Sequence, residues 1–363
     1  MSHREVEDKV LGIYRRVNPS KTQIKSKQNA VNFYQTRLNI LGTLGLPPQL
    51  FKNKKVIDIG GGTGEKSICY ALWGADVTIV EPNEISCKLA QNLFSKLNLQ
   101  KKLQVENTGL YDLDMSKLKD FDIIICEAVL HHTYNPMEGL DRILKNMIEG
   151  QIVLIALGEK HGTFKRDLQR KLVFNLSGND EKKIIEISKK YFKIHIEKAM
   201  KHILRDENQV IHDNFVNPQD KASSLEEICN TFKKNNVNYL SSYPKLDLFN
   251  MTIPWSQKRV DYYDYDYYKN YFKLLEKIWM TCGNEDITED LQKLNLDQII
   301  QRVENDVKKL SELERKIEDK SFEIKDLEMI QTGYMGVGAN FFVGYKSDEK
   351  LSRKFSEISI ENE

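Results

Sequence analysis

Val56-Ile57-Asp58-Ile59-Gly60-Gly61-Gly62-Thr63-Gly64 decides how this chain is read. Aliphatic residues surround one acid, and a glycine turn follows at once. That order suits a buried parallel strand that carries its backbone up to a nucleotide-sized ligand. Without Cβ atoms the chain can turn sharply, and a ligand can touch the main chain. Seventeen residues beyond Gly64, a second apolar run (Val77, Ile79, Val80) ends in Glu81. A carboxylate at the tip of a second parallel strand can accept both hydroxyls of a ribose.

Three chemistries compete for the glycine turn. A P-loop needs G-x-x-x-x-G-K-[ST], but Glu65 stands where its second glycine belongs and would oppose a phosphate. A dinucleotide turn needs G-x-G-x-x-G. Gly60, Gly62 and Gly64 give G-x-G-x-G, and Glu65 again takes the last glycine position. The third ligand has no phosphate and carries a positive charge, for which Asp58 is a suitable partner. S-adenosylmethionine fits that description.

The stretch from Lys54 to Gly158 resembles the class I S-adenosylmethionine-dependent methyltransferases. Asp58, Gly60, Gly62 and Gly64 match their D-x-G-x-G-x-G loop, and Glu81, followed by Pro82 and Asn83, matches their second-strand acid. Phe121 to Ile125 match their fourth strand, which runs on through Cys126 and Glu127 to Val129-Leu130-His131-His132-Thr133; Gln151 to Leu157 match the fifth. The resemblance implies an α/β fold: a Rossmann-like seven-stranded methyltransferase sheet, last strand antiparallel, here with helical insertions. It also implies that Asp58 and the backbone of Gly60, Gly61 and Gly62 hold the methionine part of the donor, that Glu81 holds the ribose, and that Pro82, Leu110 and Tyr111 flank the adenine. Glu127 would lie where the backbone approaches the donor's amino group. The family often has an acid directly after the third strand. This chain reads Thr108-Gly109-Leu110-Tyr111-Asp112 there, which leaves Asp112 or a backbone carbonyl for that contact.

Alternating apolar and helical patterns place strands at Val56–Ile59, Val77–Val80, Leu103–Asn107, Ile123–Cys126 and Gln151–Leu157, with helices at Glu65–Leu72, Glu84–Leu97 and Met137–Met147. Residues 1–50 read as a helical cap and 51–160 as the cofactor-binding core. Residues 161–236 read as a helical insertion over the acceptor site, with two helices in 160–205. Strand six (Val237–Tyr243) and a last strand (Ala339–Lys346) place the completion of the sheet in 237–249 and 331–348. Residues 250–330 form an inserted helical subdomain. It carries Tyr262, Tyr263, Tyr265, Tyr267, Tyr268 and Tyr271, read as a pocket lid or an interface, then a helix from Thr288 to Asp319 that packs on its own domain or through which a homodimer could form.

The 363 residues hold 54 Lys and Arg against 53 Asp and Glu, a net charge of +1 that gives no global nucleic-acid signature. The five cysteines are scattered with no C-x-x-C pair, so no metal site is expected. No apolar run is long enough to span a membrane, and Met1 to Val10 lacks a signal-peptide core; a cytoplasmic setting is expected.

On the acceptor side stand His131, His132, Tyr134, His161 and the His212-Asp213-Asn214 loop. His132 is the leading candidate for a general base, because imidazole titrates near working pH. The other reading of the histidine pair is that one of them orients the loop after strand four. His212, beside Asp213, is a third candidate, with a solvated loop as its other reading. The expected activity is methyl transfer to a small-molecule acceptor at O, N or C. The alternatives are an RNA-modifying enzyme of the same fold, using lysines such as Lys182, Lys183, Lys189 and Lys193, and a non-catalytic S-adenosylmethionine-binding protein.

Overall fold

A computed structural model describes residues 3–19, 21–246, 262–281, 296–332 and 338–347. The two apolar runs that open the reading become β1 (Lys55–Ile59) and β2 (Asp76–Val80). Three more parallel strands follow: β3 (Leu103–Glu106), β4 (Ile123–Glu127) and β5 (Ile152–Gly158). With β6 (Val237–Tyr243) and β7 (Ala339–Lys346) they make one sheet in the order β3-β2-β1-β4-β5-β7-β6, and β7 runs antiparallel to both neighbours. The register pairs Asp58 with Ile79 and Ile59 with Val80, so the glycine turn and Glu81 leave the sheet side by side. The strand order changes direction between β1 and β4, and ligands of open parallel sheets bind outside the carboxyl ends there.

Local chemistry sets the connecting helices. Asn83 caps α4 (Glu84–Lys96) by accepting from Ile85 N, and Asn135 caps α5 (Pro136–Lys145), whose first residue is proline. Between β1 and β2 runs α3 (Ser67–Leu72), packed on Val56, Val77 and Ile79.

Four regions add detail to the sequence expectation or depart from it. The amino-terminal cap is two helices, α1 (His3–Val17) and α2 (Lys27–Thr43). Asn18 takes a left-handed conformation after α1, and Ser26 restarts the helix as a cap for α2. Residues 160–205 hold three helices where two were expected: α6 (Phe164–Ser177), α7 (Glu181–Tyr191) and α8 (Lys193–Ile203). Gly178, at a φ of 62°, ends the first of these, and Asp180 caps the second. A short helix, α9 (Glu207–Ile211), then runs into a π-turn at His212–Val216, and α10 (Leu225–Lys234) starts at a Ser224–Glu227 capping box.

The third difference is the tyrosine cluster before α11 (Lys269–Thr281). Tyr262, Tyr263 and Tyr265 are buried, and Tyr263 lies 4.2 Å from the Phe232 ring in the core under the sheet. These three rings are core, which overturns their reading as a lid or interface. Aromatic rings bury more apolar area than any other side chains, so they favour the inside when an inside is near. The fourth region is the long helix, here α12 (Leu296–Glu318), which lies within the expected span; the expected turns from Thr288 to Asn295 lie outside the described residues. Its Leu310, Leu313 and Ile317 are buried in one cluster with Leu168 and Leu172 of α6, so that stripe is covered by its own chain. No described helix is long and apolar enough to cross a membrane.

Candidate active site

Two cavities open at the carboxyl edge of the sheet. The larger, about 240 Å³, lies over β1 and β2 between Ile59, Gly60, Glu81, Pro82, Leu110 and Val129, and is roofed by α1. The smaller, about 100 Å³, lies over β1 and β4 and is walled by Gly61, Gly62, Glu65, Lys66, Glu127 and His131. Tyr14, Ala128 and His132 line both, so the cavities meet at these three residues.

Backbone conformation makes the junction. Gly60 sits at a φ of 75°, and a Cβ there would overlap the Val129 side chain. Opposite it, Ala128 holds a φ of 62°, a left-handed conformation that costs a non-glycine residue about 1–2 kcal/mol. Its N–H donates to Ala156 O at 2.8 Å, which ties the turned residue to β5.

Glu81 is 7 % exposed. One of its oxygens accepts from Gly62 N at 3.0 Å and the other from Asn83 N at 2.9 Å. Burial pushes its carboxyl up to about 7, against the pull of those two N–H donors. Each oxygen has two lone pairs, so one on each is still free for a pair of hydroxyls. Asp58 lines neither cavity. Its Oδ2 accepts from Ser67 Oγ at 2.6 Å, beneath the glycine turn, and burial pushes its carboxyl up to about 6.

Glu127 ends β4 in the opposite electrostatic state. Arg37 of α2 clasps it with two bonds of 2.7 and 2.9 Å, Tyr70 donates at 3.1 Å, and Lys66 lies 3.2 Å away. Burial alone would push this carboxyl up, yet Arg37 and Lys66 hold it down at about 2. Nothing in the local sequence marks Arg37, because its partner lies 90 positions away.

The histidines separate. His132 Nδ1 is 2.8 Å from Gln219 O, and its Nε2 is 3.7 Å from Asp213 Oδ1. Arg205 holds that aspartate at 2.7 Å. The π-turn that presents Asp213 is itself pinned by Arg170, which donates to Asn214 O at 2.6 Å and Asn217 O at 2.8 Å. His131 faces the smaller cavity, buried, with no partner for Nδ1, and burial holds its pKa well below the ordinary value. His212 is buried but lines neither cavity: its Nδ1 meets Asn208 O at 2.8 Å, and its Nε2 is 3.4 Å from Glu181. Tyr111 also lies off the cleft, its ring 4.1 Å from His3 and its hydroxyl donating to Asn135 O. Asp112, Thr108 and Gly109 line the larger cavity instead. Lys66 and Arg205 were not singled out by any sequence pattern.

Residues 33–212 match the family described as a methyltransferase domain. A ubiquinone biosynthesis O-methyltransferase of Psychrobacter arcticus is 29 % identical over 103 residues, which cover 28 % of this chain and 40 % of that protein's length. Among solved structures, PKMT2 from Rickettsia typhi is similar at a TM-score of 0.47 and 18 % identity, over 67 % of this chain and 51 % of that one. The magnesium protoporphyrin IX methyltransferase of Synechocystis is similar at 0.37 and 16 %, over 66 % and 87 %.

Proposed function

We propose that this chain, which belongs to the class I S-adenosylmethionine-dependent methyltransferases, methylates a small-molecule acceptor whose reacting atom meets the donor at His132. The observation that carries this reading is the meeting of the two cavities at Tyr14, Ala128 and His132. A nucleoside in the larger and an amino acid in the smaller would put the bond between them at that junction. The residues fit such a donor. Glu81 has two free lone pairs for the ribose, Leu110 and Val129 offer apolar walls for the base, and the smaller cavity has charged groups of both signs, Glu65 and Glu127 with Lys66 and Arg205, for an amino acid's ammonium and carboxylate. When bound, the donor supplies an electrophilic methyl group on a sulfonium; the chain supplies alignment and proton handling.

His132 is suited to the proton. Gln219 O at 2.8 Å and Asn217 Nδ2 at 3.1 Å both meet Nδ1, which leaves Nε2 as the nitrogen for the acceptor's proton. Nε2 takes the acceptor's proton as the acceptor atom gains the methyl group. Asp213, held by Arg205, then stabilises the imidazolium. Tyr14 stays protonated, because burial pushes its hydroxyl well above the ordinary value, and so remains a neutral donor at the junction.

The basic lysines do not favour an RNA substrate. Lys189 pairs with Glu207 at 2.6 Å, and Lys193 lies 3.8 Å from Glu197. Calorimetry with S-adenosylmethionine, followed by labelled-methyl transfer into metabolite extract and into total RNA, tests the reading. Binding plus label in the small-molecule fraction is expected. A chain that binds no donor, or labels only RNA, overturns it.

A further inference from the structure

We propose that Glu159, His161, Glu276 and Asn340 form a binding site for one divalent metal ion at the carboxyl end of β5, separate from the methyl-donor cleft. None of the four lines either cavity. Glu159 follows β5 directly and is fully buried, and Glu276 arrives from α11. One ligand atom from each of Glu159, His161 and Glu276 lies within 4.8 Å of the others.

Asn340 adds an independent sign of a ligand. It is 1 % exposed, and neither its Oδ1 nor its Nδ2 has a hydrogen-bond partner. A buried amide with both ends unmet is rare in folded proteins. Asn340 pairs with Leu157 across β5 and β7, and paired residues share a face of the sheet. Glu159 lies two residues beyond Leu157, which returns to the same face. The orphan amide and the buried carboxylate are therefore neighbours on the side covered by α11.

Charge points the same way. His161 Nδ1 is 2.9 Å from Glu159 Oε1 and 3.8 Å from Glu276 Oε1. Among the described residues, neither carboxylate has a lysine or arginine partner within ion-pair distance. One imidazole thus stands between two buried carboxylates, an arrangement with excess negative charge that a dication neutralises. Metal bonds of about 2.1 Å allow two ligand atoms to stand up to about 4.2 Å apart, so the 2.9 and 3.8 Å separations already suit chelation. His161 N and Gly162 N donate to Glu159 Oε2 at 2.9 and 2.8 Å, which fixes that side chain and leaves Oε1 to ligate. Two carboxylates, an amide oxygen and an imidazole nitrogen make a mixed oxygen–nitrogen set that suits Mn²⁺ or Zn²⁺. The scattered cysteines led to the expectation of no metal site, and this one departs from it by using no thiolate. A bound ion would tie α11 to the end of β5.

The test dialyses the full chain against EDTA and titrates it with MnCl₂, reading free Mn²⁺ by electron paramagnetic resonance and the thermal midpoint in parallel. One ion per chain and a rise in midpoint are expected, with binding at least tenfold weaker in Glu276→Gln and several-fold weaker in Asn340→Ala. Should Glu276→Gln fail to fold, Asn340→Ala alone decides. A wild-type chain that leaves all Mn²⁺ free, or folded variants that bind it as the wild type does, overturns the site. S-adenosylmethionine binding by the same samples, measured without metal, keeps this outcome distinct from that of the methyl-transfer reading.

Discussion

The tips of β2 and β4 carry the same residue in opposite electrostatic states. Glu81 and Glu127 are both glutamates, and both are under 8 % exposed. Backbone N–H groups hold Glu81, whose carboxyl is pushed up to about 7; Arg37 and Lys66 hold Glu127, whose carboxyl sits at about 2. Burial is the largest influence on each and acts in the same direction. What separates them is whether a cation from another element reaches the carboxylate, so the site has one tip able to change its charge near neutrality and one locked as an anion.

Four perturbations sharpen or break that comparison. The largest effect is expected from His132→Gln, just beyond the locked tip. Loss of a general base lowers kcat by about 10²–10⁴-fold, while donor affinity by calorimetry stays near wild type. A loss in affinity with kcat unchanged would make His132 a binding residue instead. Arg37→Met comes next. It leaves Glu127 buried without its main partner and should destabilise the fold by about 3–5 kcal/mol, read by urea denaturation. Third is Glu81→Ala, expected to weaken donor binding by at least tenfold with a stability change smaller than that of Arg37→Met. Unchanged affinity would remove Glu81 from the ribose. The smallest is Ala128→Gly, which relieves a left-handed alanine and should raise stability by about 1 kcal/mol.

The two tips also predict opposite pH dependence. Glu81 is raised from an ordinary 4.5 to about 7. Its contribution to stability is full below pH 4.5 and is lost as pH rises through 7. Asp58, raised to about 6, acts in the same direction. Glu127, lowered from 4.5 to about 2, contributes above pH 4.5 and loses that contribution as pH falls through 2. Ribose hydroxyls donate to an ionised carboxylate, so donor affinity should rise between pH 6 and 8. A flat affinity profile across that window would mean that Glu81 is already ionised or does not meet the donor.

The β1–β2 half was legible because its signals are local. A glycine turn after an aliphatic strand, an acid one strand later and the asparagine caps of α4 and α5 each lie within a few residues of what they determine. The expected strand at Leu103–Asn107 ends one residue earlier, at Glu106. The layer over the sheet was harder to read. Three helices stand where two were expected: Gly178 and Asp180 divide α6 from α7, and a second break at Phe192 divides α7 from α8. Tyr262, Tyr263 and Tyr265 alternate with aspartates in the sequence like a solvated aromatic surface, yet they fill the core against Phe232.

The sequence by itself placed the strands and the acid at the tip of β2, and the family resemblance implied the sheet they make. Hydrophobic periodicity and turn chemistry act between near neighbours, and a single chain displays both directly. Only the tertiary structure decided which polar groups meet. Arg37 finds Glu127 across 90 positions, Asp213 and Gln219 reach His132 from the far side of an insertion, and His212 turns to Asn208 and Glu181. Charge pairing and desolvation depend on distances in space, and those are fixed only once the whole chain has packed.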